Sequence, residues 1–176
     1  MPAWSDKTAD MVADATQIRG FTGEWRWLSN FHPCRMRYEG LAYGSSEEAY
    51  QAAKFPAELR PQFQGVGSYP AKKKAGLLLQ GATPEAKAAW NARKSVVMRE
   101  VVWAKFYQNR DLAALLISTG NRYLEETNWW GDTWFGVCRG KGQNILGLVL
   151  METRAKLGGP GVVGAPLPAN AQLSFL

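Results

Sequence analysis

The sequence predicts an α+β fold: one compact, mostly helical domain with a few short strands. Five segments after residue 45 carry helix-start signals or helical apolar spacing, whereas short apolar runs broken by glycine precede them. The chain has 176 residues, 46% hydrophobic and 20% charged, which suits a single buried core. We therefore expect an N-terminal arm at 1–17, the domain at 18–157, and a mobile tail at 158–176.

Composition and charge narrow the classes of function. The chain carries 21 Lys and Arg against 15 Asp and Glu, a net charge of +6 that attracts phosphates and nucleic acid. Its apolar runs are too short to span a bilayer, and no basic-then-apolar signal opens the chain, so we expect a cytoplasmic protein without a membrane partner. Two distant cysteines, Cys34 and Cys138, and the single histidine, His32, favour neither a disulfide framework nor a metal site.

The first part of the predicted domain is built from strands and one helix. The region Ile18–Tyr43 alternates short apolar and polar runs, which predicts two or three strands with a turn at residues 38–40. Ser45 then caps a helix whose Glu48, three residues later, is placed to reach back as in a capping box. We expect this helix to end near Phe55, before a proline.

The remainder predicts four further helices and one strand. Residues Tyr123–Glu126 form the strand, and a glycine-rich aromatic loop follows from Asn128 to Gly142. The longest helix begins at a proline after the cap Thr83 and carries a core-facing stripe of Trp90, Val97, Val101 and Ala104. The helices are expected at Ala71–Leu79, Pro84–Tyr107, Asp111–Ser118 and from the cap Asn144 to about Leu157.

One face of the first helix is a candidate catalytic site. Glu47, Tyr50, Gln51 and Lys54 follow the spacing i, i+3, i+4 and i+7, so they project from one side. Glu47 lies in the first turn, where the helix macrodipole favours an ionised carboxylate beside a loop. The alternative interpretation is a solvated face that contributes only to solubility.

Three further segments are candidate sites: an acidic aromatic segment, a glycine turn and a run of lysines. Residues 125–136 combine three acids with four aromatic side chains, which indicates either a stacking pocket edged by a carboxylate or a loop folded over the core. The glycine turn at 140–142, just before Asn144, is a weak candidate for a phosphate cradle at a helix N-terminus. The run Lys72-Lys73-Lys74 is typical of a solvated helix face.

Several of these motifs, in this order, resemble the NADAR (NAD- and ADP-ribose-associated, YbiA-like) family. The resemblance rests on Phe21–Phe31 (FTGEWRWLSNF) and Ser46–Lys54 (SEEAYQAAK), and covers about residues 18–157. It continues through Trp90, Val97-Met98, Lys105-Phe106, Leu124-Glu125, Asn128, Trp130-Gly131-Asp132, Gly136-Val137, Asn144, Leu146-Gly147, Leu150-Met151 and Arg154. The sequence departs from the family pattern at Glu48, where a histidine is usual, at Phe135, and at Leu77.

This resemblance implies an N-glycosidase that cleaves a ribose C1–N bond without metal or redox cofactor. The implied substrate is an ADP-ribosylated guanine, with DNA as a candidate partner; a phosphorylated ribosylaminopyrimidine of riboflavin synthesis is the first alternative. A module that binds ADP-ribose or nucleic acid without cleavage is the second. Position by position, the resemblance and the chemistry assign catalysis to Glu47, Asp132 and Glu125. The expected substrate-binding residues are Arg26, Asn30, Phe31, Tyr50, Lys54, Trp90, Asn128, Trp130, Trp134 and Gly136.

Overall fold

A computed structural model describes residues 11–161, which divide into two compact units. The first unit contains residues 11–29 and 111–161, and the second contains residues 30–110. The predicted fold class is confirmed: helices dominate each unit, and the strands are short. Residues 1–10 of the predicted arm (1–17) and residues 162–176 of the predicted tail (158–176) lie outside the described residues, while the arm residues Val12–Ala13 form a strand.

The second unit combines a hairpin with three helices. Strands β3 (Met36–Tyr38) and β4 (Leu41–Tyr43) pair antiparallel, and Glu39 and Gly40 turn between them with φ of 47° and 82°. The predicted turn at residues 38–40 is therefore confirmed. The helices follow in chain order: α1 (Ser46–Ala52), a 3-10 helix (Arg60–Phe63), α2 (Ser68–Gln80) and α3 (Pro84–Gln108).

Helix α1 is the centre of the second unit. It packs against α2 and α3, and all seven of its residues are buried, which rules out the solvated face. Ser45 caps it as predicted, because its hydroxyl accepts from the Glu48 N–H at 3.1 Å. The helix ends at Ala52, not near Phe55, where the chain tightens and the Phe55 ring stacks on Phe63 at 5.4 Å.

The predicted capping box is wrong at its acid. Glu48 does not reach back to Ser45; its fully buried carboxylate accepts the N–H groups of Gly44, Gly65 and Gly67, each at 2.9 Å. One ionisable side chain thereby joins the loop before α1 to the loop before α2. Backbone donors of this kind compensate the burial of a carboxylate.

The first unit holds two small sheets and two α-helices. The elements are β1 (Val12–Ala13), β2 (Gln17–Arg19), a 3-10 helix (Gly23–Leu28), α4 (Arg110–Ser118), β5 (Tyr123–Glu125), β6 (Thr127–Asn128), β7 (Val137–Cys138), β8 (Lys141–Gly142) and α5 (Ile145–Lys156). The first sheet has the order β1-β2-β5, in which β2 pairs parallel to β5, and the second has the order β6-β7-β8. Helix α5 packs against β5.

Three predictions for the first unit need correction. Residues 23–28 form a 3-10 helix inside the region expected to hold strands, and part of the expected loop at 128–142 pairs as β7 and β8. Asn144 precedes α5 but does not cap it, since it has φ of 51°. Its side chain instead joins three backbone and side-chain groups of the β5 region: it accepts from Glu126 N–H and donates to Tyr123 Oη and Leu124 O.

The other helices follow the sequence closely. Thr83 caps α3 by accepting from Ala86 N–H at 3.2 Å, and Pro84 opens the helix. Of the predicted stripe, Val97, Val101 and Ala104 are buried, whereas Trp90 is only half-buried. Within residues 11–161, no helix is long and apolar enough to cross a membrane.

Candidate active site

Glu47 lies at the first turn of α1 with only 6% of its surface exposed. Its backbone N–H donates to the carbonyl of Asn30, and its carboxylate oxygen Oε1 accepts from Gln51 Nε2 at 2.8 Å. The helix N-terminus places positive dipole charge beside the carboxylate. A polar group this deeply buried is retained only where its interactions compensate its desolvation.

Gln51 donates an amide N–H to this carboxylate, and its amide oxygen is left without a partner. Its side chain is 3% exposed, and within residues 11–161 its carbonyl oxygen Oε1 has no hydrogen-bond partner. Because an ionised carboxylate only accepts, the amide nitrogen must face Glu47 and the oxygen must point elsewhere. The helical spacing places Gln51 on the predicted face, but only the structure reveals the unsatisfied acceptor.

An aromatic pair borders the same helix face. The Tyr50 and Trp90 rings meet edge to face, with centroids 5.2 Å apart, and thereby join α1 to α3. The Lys54 amine lies 5.3 Å from the Tyr50 ring centroid and 5.7 Å from that of Trp90. The predicted residues Glu47, Tyr50, Lys54 and Trp90 therefore form one cluster.

The ammonium group of Lys54 has a lowered pKa. Burial lowers the pKa of its ammonium to about 8, Glu47 opposes that shift, and the positive charge of Lys72 adds to it. Among the described residues the amine forms neither a hydrogen bond nor an ion pair, and it lies over the two rings. It is thus a cation available to a ligand.

Asn30 and Phe31 frame the start of α1. Asn30 is buried; its Oδ1 accepts from the Ser46 hydroxyl at 2.9 Å, and its Nδ2 lies 3.1 Å from Met98 Sδ. Phe31 is half-buried, and the Lys72 amine lies 5.4 Å from its ring centroid. The side chain of Asn30 therefore positions the helix, while Phe31 presents a ring beside it.

The remaining predicted residues lie in the first unit. Glu125 is buried on β5, where Oε1 accepts from Arg19 Nε at 3.0 Å and from the Thr127 hydroxyl at 2.7 Å. Arg19 Nη2 lies 3.0 Å from the same oxygen, so the pair is a two-pronged salt bridge. The carboxylate of Glu125 holds strand β5 to strand β2.

Asn128 and Asp132 organise the aromatic loop. The buried Asn128 amide donates to the carbonyls of Asp132 and Val137 and accepts from Asp132 N–H. Asp132 Oδ1 in turn accepts from the N–H groups of Trp134 and Phe135, each at 3.0 Å. At Gly136 a Cβ would overlap the carbonyl oxygen of Glu126, so only glycine fits. These residues give the loop its shape.

Indole rings of this loop reach the surface. Trp130 is 51% exposed and meets Trp129 edge to face at 4.9 Å, while Trp134 is half-buried. Arg26, on the 3-10 helix Gly23–Leu28, is exposed. At the start of α5, the N–H groups of residues 143–146 donate to the carbonyls of residues 133–136. The phosphate cradle anticipated at the glycine turn 140–142 therefore receives no donor from these four residues.

The predicted residues thus fall into two groups, one in each unit. The second unit brings together Glu47, Tyr50, Lys54 and Trp90 with Asn30 and Phe31 nearby; the first unit holds Arg26, Glu125, Asn128, Trp130, Asp132, Trp134 and Gly136. In the described part of the chain, no three His, Cys, Asp or Glu side chains are grouped to hold a metal ion. The catalytic and binding roles stay predictions.

Comparison with known proteins gives a consistent family. The model of the NADAR domain matches residues 19–158. The N-glycosidase YbiA of Shigella boydii is 34% identical over 135 residues, 74% of this chain and 80% of that protein. A riboflavin biosynthesis protein of Vibrio vulnificus is 34% identical over 131 residues, which cover 74% of this chain but 35% of that protein.

The solved structures agree. The NMR structure of the Escherichia coli protein YbiA matches with a TM-score of 0.70 and 29% identity, over 84% of this chain and 88% of that one. This chain belongs to the NADAR family. The relatives that carry the name N-glycosidase support its placement among the hydrolases that act on N-glycosyl bonds.

Proposed function

We propose that this chain is an N-glycosidase that hydrolyses the bond between ribose C1 and a nitrogen of guanine in ADP-ribosylated DNA, and so releases ADP-ribose. The observation that carries the proposal is the buried Glu47 carboxylate at the first turn of α1. It lies in one cluster with the Tyr50–Trp90 ring pair and the Lys54 amine, groups suited to a sugar, a base and a phosphate.

The chemistry follows from the charge that develops on the sugar. As the C1–N bond breaks, its electron pair leaves with the base nitrogen and the ribose acquires oxocarbenium character. The ionised Glu47 stabilises that positive charge and takes a proton from the attacking water, whose oxygen bonds to C1. The base nitrogen gains a proton, so water is the only co-reactant.

Three features of the residues support a substrate that carries both phosphate and a base. The amine of Lys54 is available to an anion, and Tyr50 and Trp90 offer ring surfaces on which a base can stack. The net charge of +6 favours a polyanion such as DNA. The exposed indoles of Trp129 and Trp130 suit an unpaired base in a single strand.

A second candidate is a phosphorylated ribosylaminopyrimidine. The similarity to a protein named for riboflavin biosynthesis favours it, and the same carboxylate, rings and amine serve such a ligand. The two substrates are separated by incubating the protein with ADP-ribosylated guanine in single-stranded DNA and, in parallel, with the ribosylaminopyrimidine phosphate. The masses of the products then identify which C1–N bond is cleaved.

The Glu47→Gln substitution tests the proposed catalyst. Glutamine preserves the shape and can still accept from Gln51, but it carries no charge to stabilise the oxocarbenium ion. We expect kcat to fall by roughly a thousandfold or more, with the thermal unfolding midpoint nearly unchanged. Turnover is measured by mass spectrometry of released ADP-ribose.

Glu58→Gln is the matched control, because it removes the same charge from an exposed position of the second unit. Its turnover should equal that of the wild type. Full activity in Glu47→Gln would overturn the catalytic assignment. Tight binding of ADP-ribose by a wild-type protein that cleaves neither substrate would instead identify a binding module.

A further inference from the structure

The three consecutive lysines of α2 have three different environments. Lys74 donates to the carbonyl of Gln62 at 3.0 Å and lies over the Phe63 ring, so its amine is engaged in the fold. Lys73 is exposed and, among the described residues, has no hydrogen bond, ion pair or ring contact. Lys72 is also exposed, but its amine lies over Phe31, at 5.4 Å from the ring centroid. The run is therefore more than a uniformly solvated face.

The first turn of α2 is fixed beside the N-terminus of α1. The Ser68 hydroxyl contacts the hydroxyl of the α1 cap, Ser45, at 2.9 Å and the carbonyl of Phe31 at 3.3 Å. Lys72 follows Ser68 by four residues and so projects from the same side of α2. This arrangement holds Lys72 near the helix that carries Glu47.

Lys72 and Lys54 carry like charges in the same part of the second unit. Lys72 lies close enough to Lys54 for its positive charge to disfavour the ammonium form of Lys54, while Glu47 favours it. Lys72 takes part in no hydrogen bond or ion pair within residues 11–161. Two like charges held near each other with one negative partner leave an excess of positive charge, which an anion would neutralise.

We propose that Lys72 and Lys54 form the phosphate subsite of this protein, with Lys72 as the residue that determines selectivity for phosphorylated ribosides. The geometry points to it because both amines lie over the rings that surround α1, Lys72 over Phe31 and Lys54 over Tyr50 and Trp90. A phosphate bound between the amines accepts from both. The ribose is then held toward Glu47 and the base toward the rings.

This subsite deepens the proposed function and rests on it for the identity of the riboside. Its ligand chemistry is a phosphate group, supplied either by the diphosphate of ADP-ribose or by the monoester of a ribosyl phosphate. Lysine is a point-charge donor suited to either group, because its three N–H bonds rotate freely. Neutral ribosides gain nothing from it.

The test compares Lys72→Gln with Lys73→Gln, which removes the same charge one position away. Binding of ADP-ribose, ribose 5-phosphate, inorganic pyrophosphate and unphosphorylated ribose is measured by isothermal titration calorimetry at two salt concentrations. We expect Lys72→Gln to weaken binding of the tightest phosphate probe by roughly tenfold, the effect of one charge-assisted hydrogen bond, and less at high salt. Lys73→Gln should change it by less than about twofold.

The outcomes separate the subsite from the reaction. A selective loss in Lys72→Gln supports the subsite, and the probe most affected shows whether a diphosphate or a monoester is bound. Equal affinities in Lys72→Gln and Lys73→Gln, or no binding of any phosphate probe by the wild type, overturn the subsite even if the substrate is cleaved. If Lys72→Gln selectively loses pyrophosphate binding while the wild type cleaves no riboside, the subsite is supported and the proposed function is contradicted.

Discussion

Two buried glutamates of this chain meet different donors. Glu125 is engaged by two contacts from Arg19 and one from Thr127, so its charge serves the strand pair β2–β5. Glu47 accepts from the amide of Gln51 at the first turn of α1. A carboxylate already held by a guanidinium has little charge left to stabilise a cationic transition state. Glu125 is therefore the weaker candidate, and Glu47 remains our proposed catalytic carboxylate.

Lys54 gives the chain a specific pH dependence of stability. Its folded-state pKa of about 8 lies below the ordinary 10.5, so between these values the unfolded chain binds more protons. Stability must then rise with pH across that window, by up to about 1.4 kcal/mol per pH unit, and Lys54 contributes no slope below it. We expect the Lys54→Met variant to lack this rise.

Urea unfolding at pH values spanning the window measures the effect as the difference between wild type and variant. Lys73→Met is the control, since its exposed amine should leave the slope unchanged. Deprotonation of Lys54 should also weaken phosphate binding as pH rises through about 8, its pKa in the folded protein. Parallel stability curves for wild type and Lys54→Met would contradict the burial of a charged amine.

At the scale of elements, helix ends were predictable where a cap is local. Ser45 and Thr83 cap α1 and α3 through bonds to residues three positions later, which sequence spacing reveals. Asn144 is another residue type favoured at helix starts and precedes α5, but its side chain bonds instead to backbone groups of the β5 region, at Glu126 and Leu124. Capping is therefore readable from sequence only when no tertiary partner competes.

Two glycines inside helices should respond oppositely to alanine. At Gly147 of α5 an added Cβ would overlap the carbonyl oxygen of Leu124 on β5, whereas at Gly76 of α2 it would meet nothing within 4 Å. We expect Gly147→Ala to lower the free energy of unfolding by about 2 kcal/mol or more, through strain in the α5–β5 packing. Gly76→Ala should raise it by about 0.5–1 kcal/mol through helix propensity.

Chemical denaturation of both variants checks the pair, and circular dichroism confirms that each retains its helix content. Because the substitution is identical, differences in the unfolded state largely cancel. Equal effects at the two positions would show that α5 does not approach β5 as closely as the structure indicates. That result would also remove the reason for glycine at position 147.

At the scale of the whole molecule, the charge of +6 predicts how the substrate is approached. If DNA carries the ADP-ribosylated guanine, counterions are released on binding, and KM should rise steeply between about 50 mM and about 200 mM salt. For the isolated ADP-ribosylated nucleoside the rise should be shallower, because fewer phosphates are contacted. Initial rates on both substrates across this range provide the measurement. Identical salt dependence would indicate that the polynucleotide strand contributes no binding.

Much of the site could be read from the sequence because it depends on local spacing. Helical periodicity places Glu47, Tyr50 and Gln51 on one face of α1, whereas Lys54, expected on the same face, follows the end of the helix and still reaches the Tyr50 ring. Composition could not separate Lys72 from Lys73 and Lys74. Their environments differ because α2 packs against α1, an arrangement decided by contacts between residues far apart in the chain.

The sequence by itself determined the fold class, the five helices, the family resemblance and the face of α1, since each depends on periodicity or on caps within a few residues. Only the tertiary structure decided which acids are engaged. In the structure, Glu48 accepts from three glycine N–H groups, Glu125 forms a salt bridge with Arg19, and Asp132 accepts from the backbone of its own loop. The physical reason is that a carboxylate's chemistry depends on its burial and its donors. For Glu48 and Glu125 those donors include groups far away in the chain, at Gly65, Gly67 and Arg19.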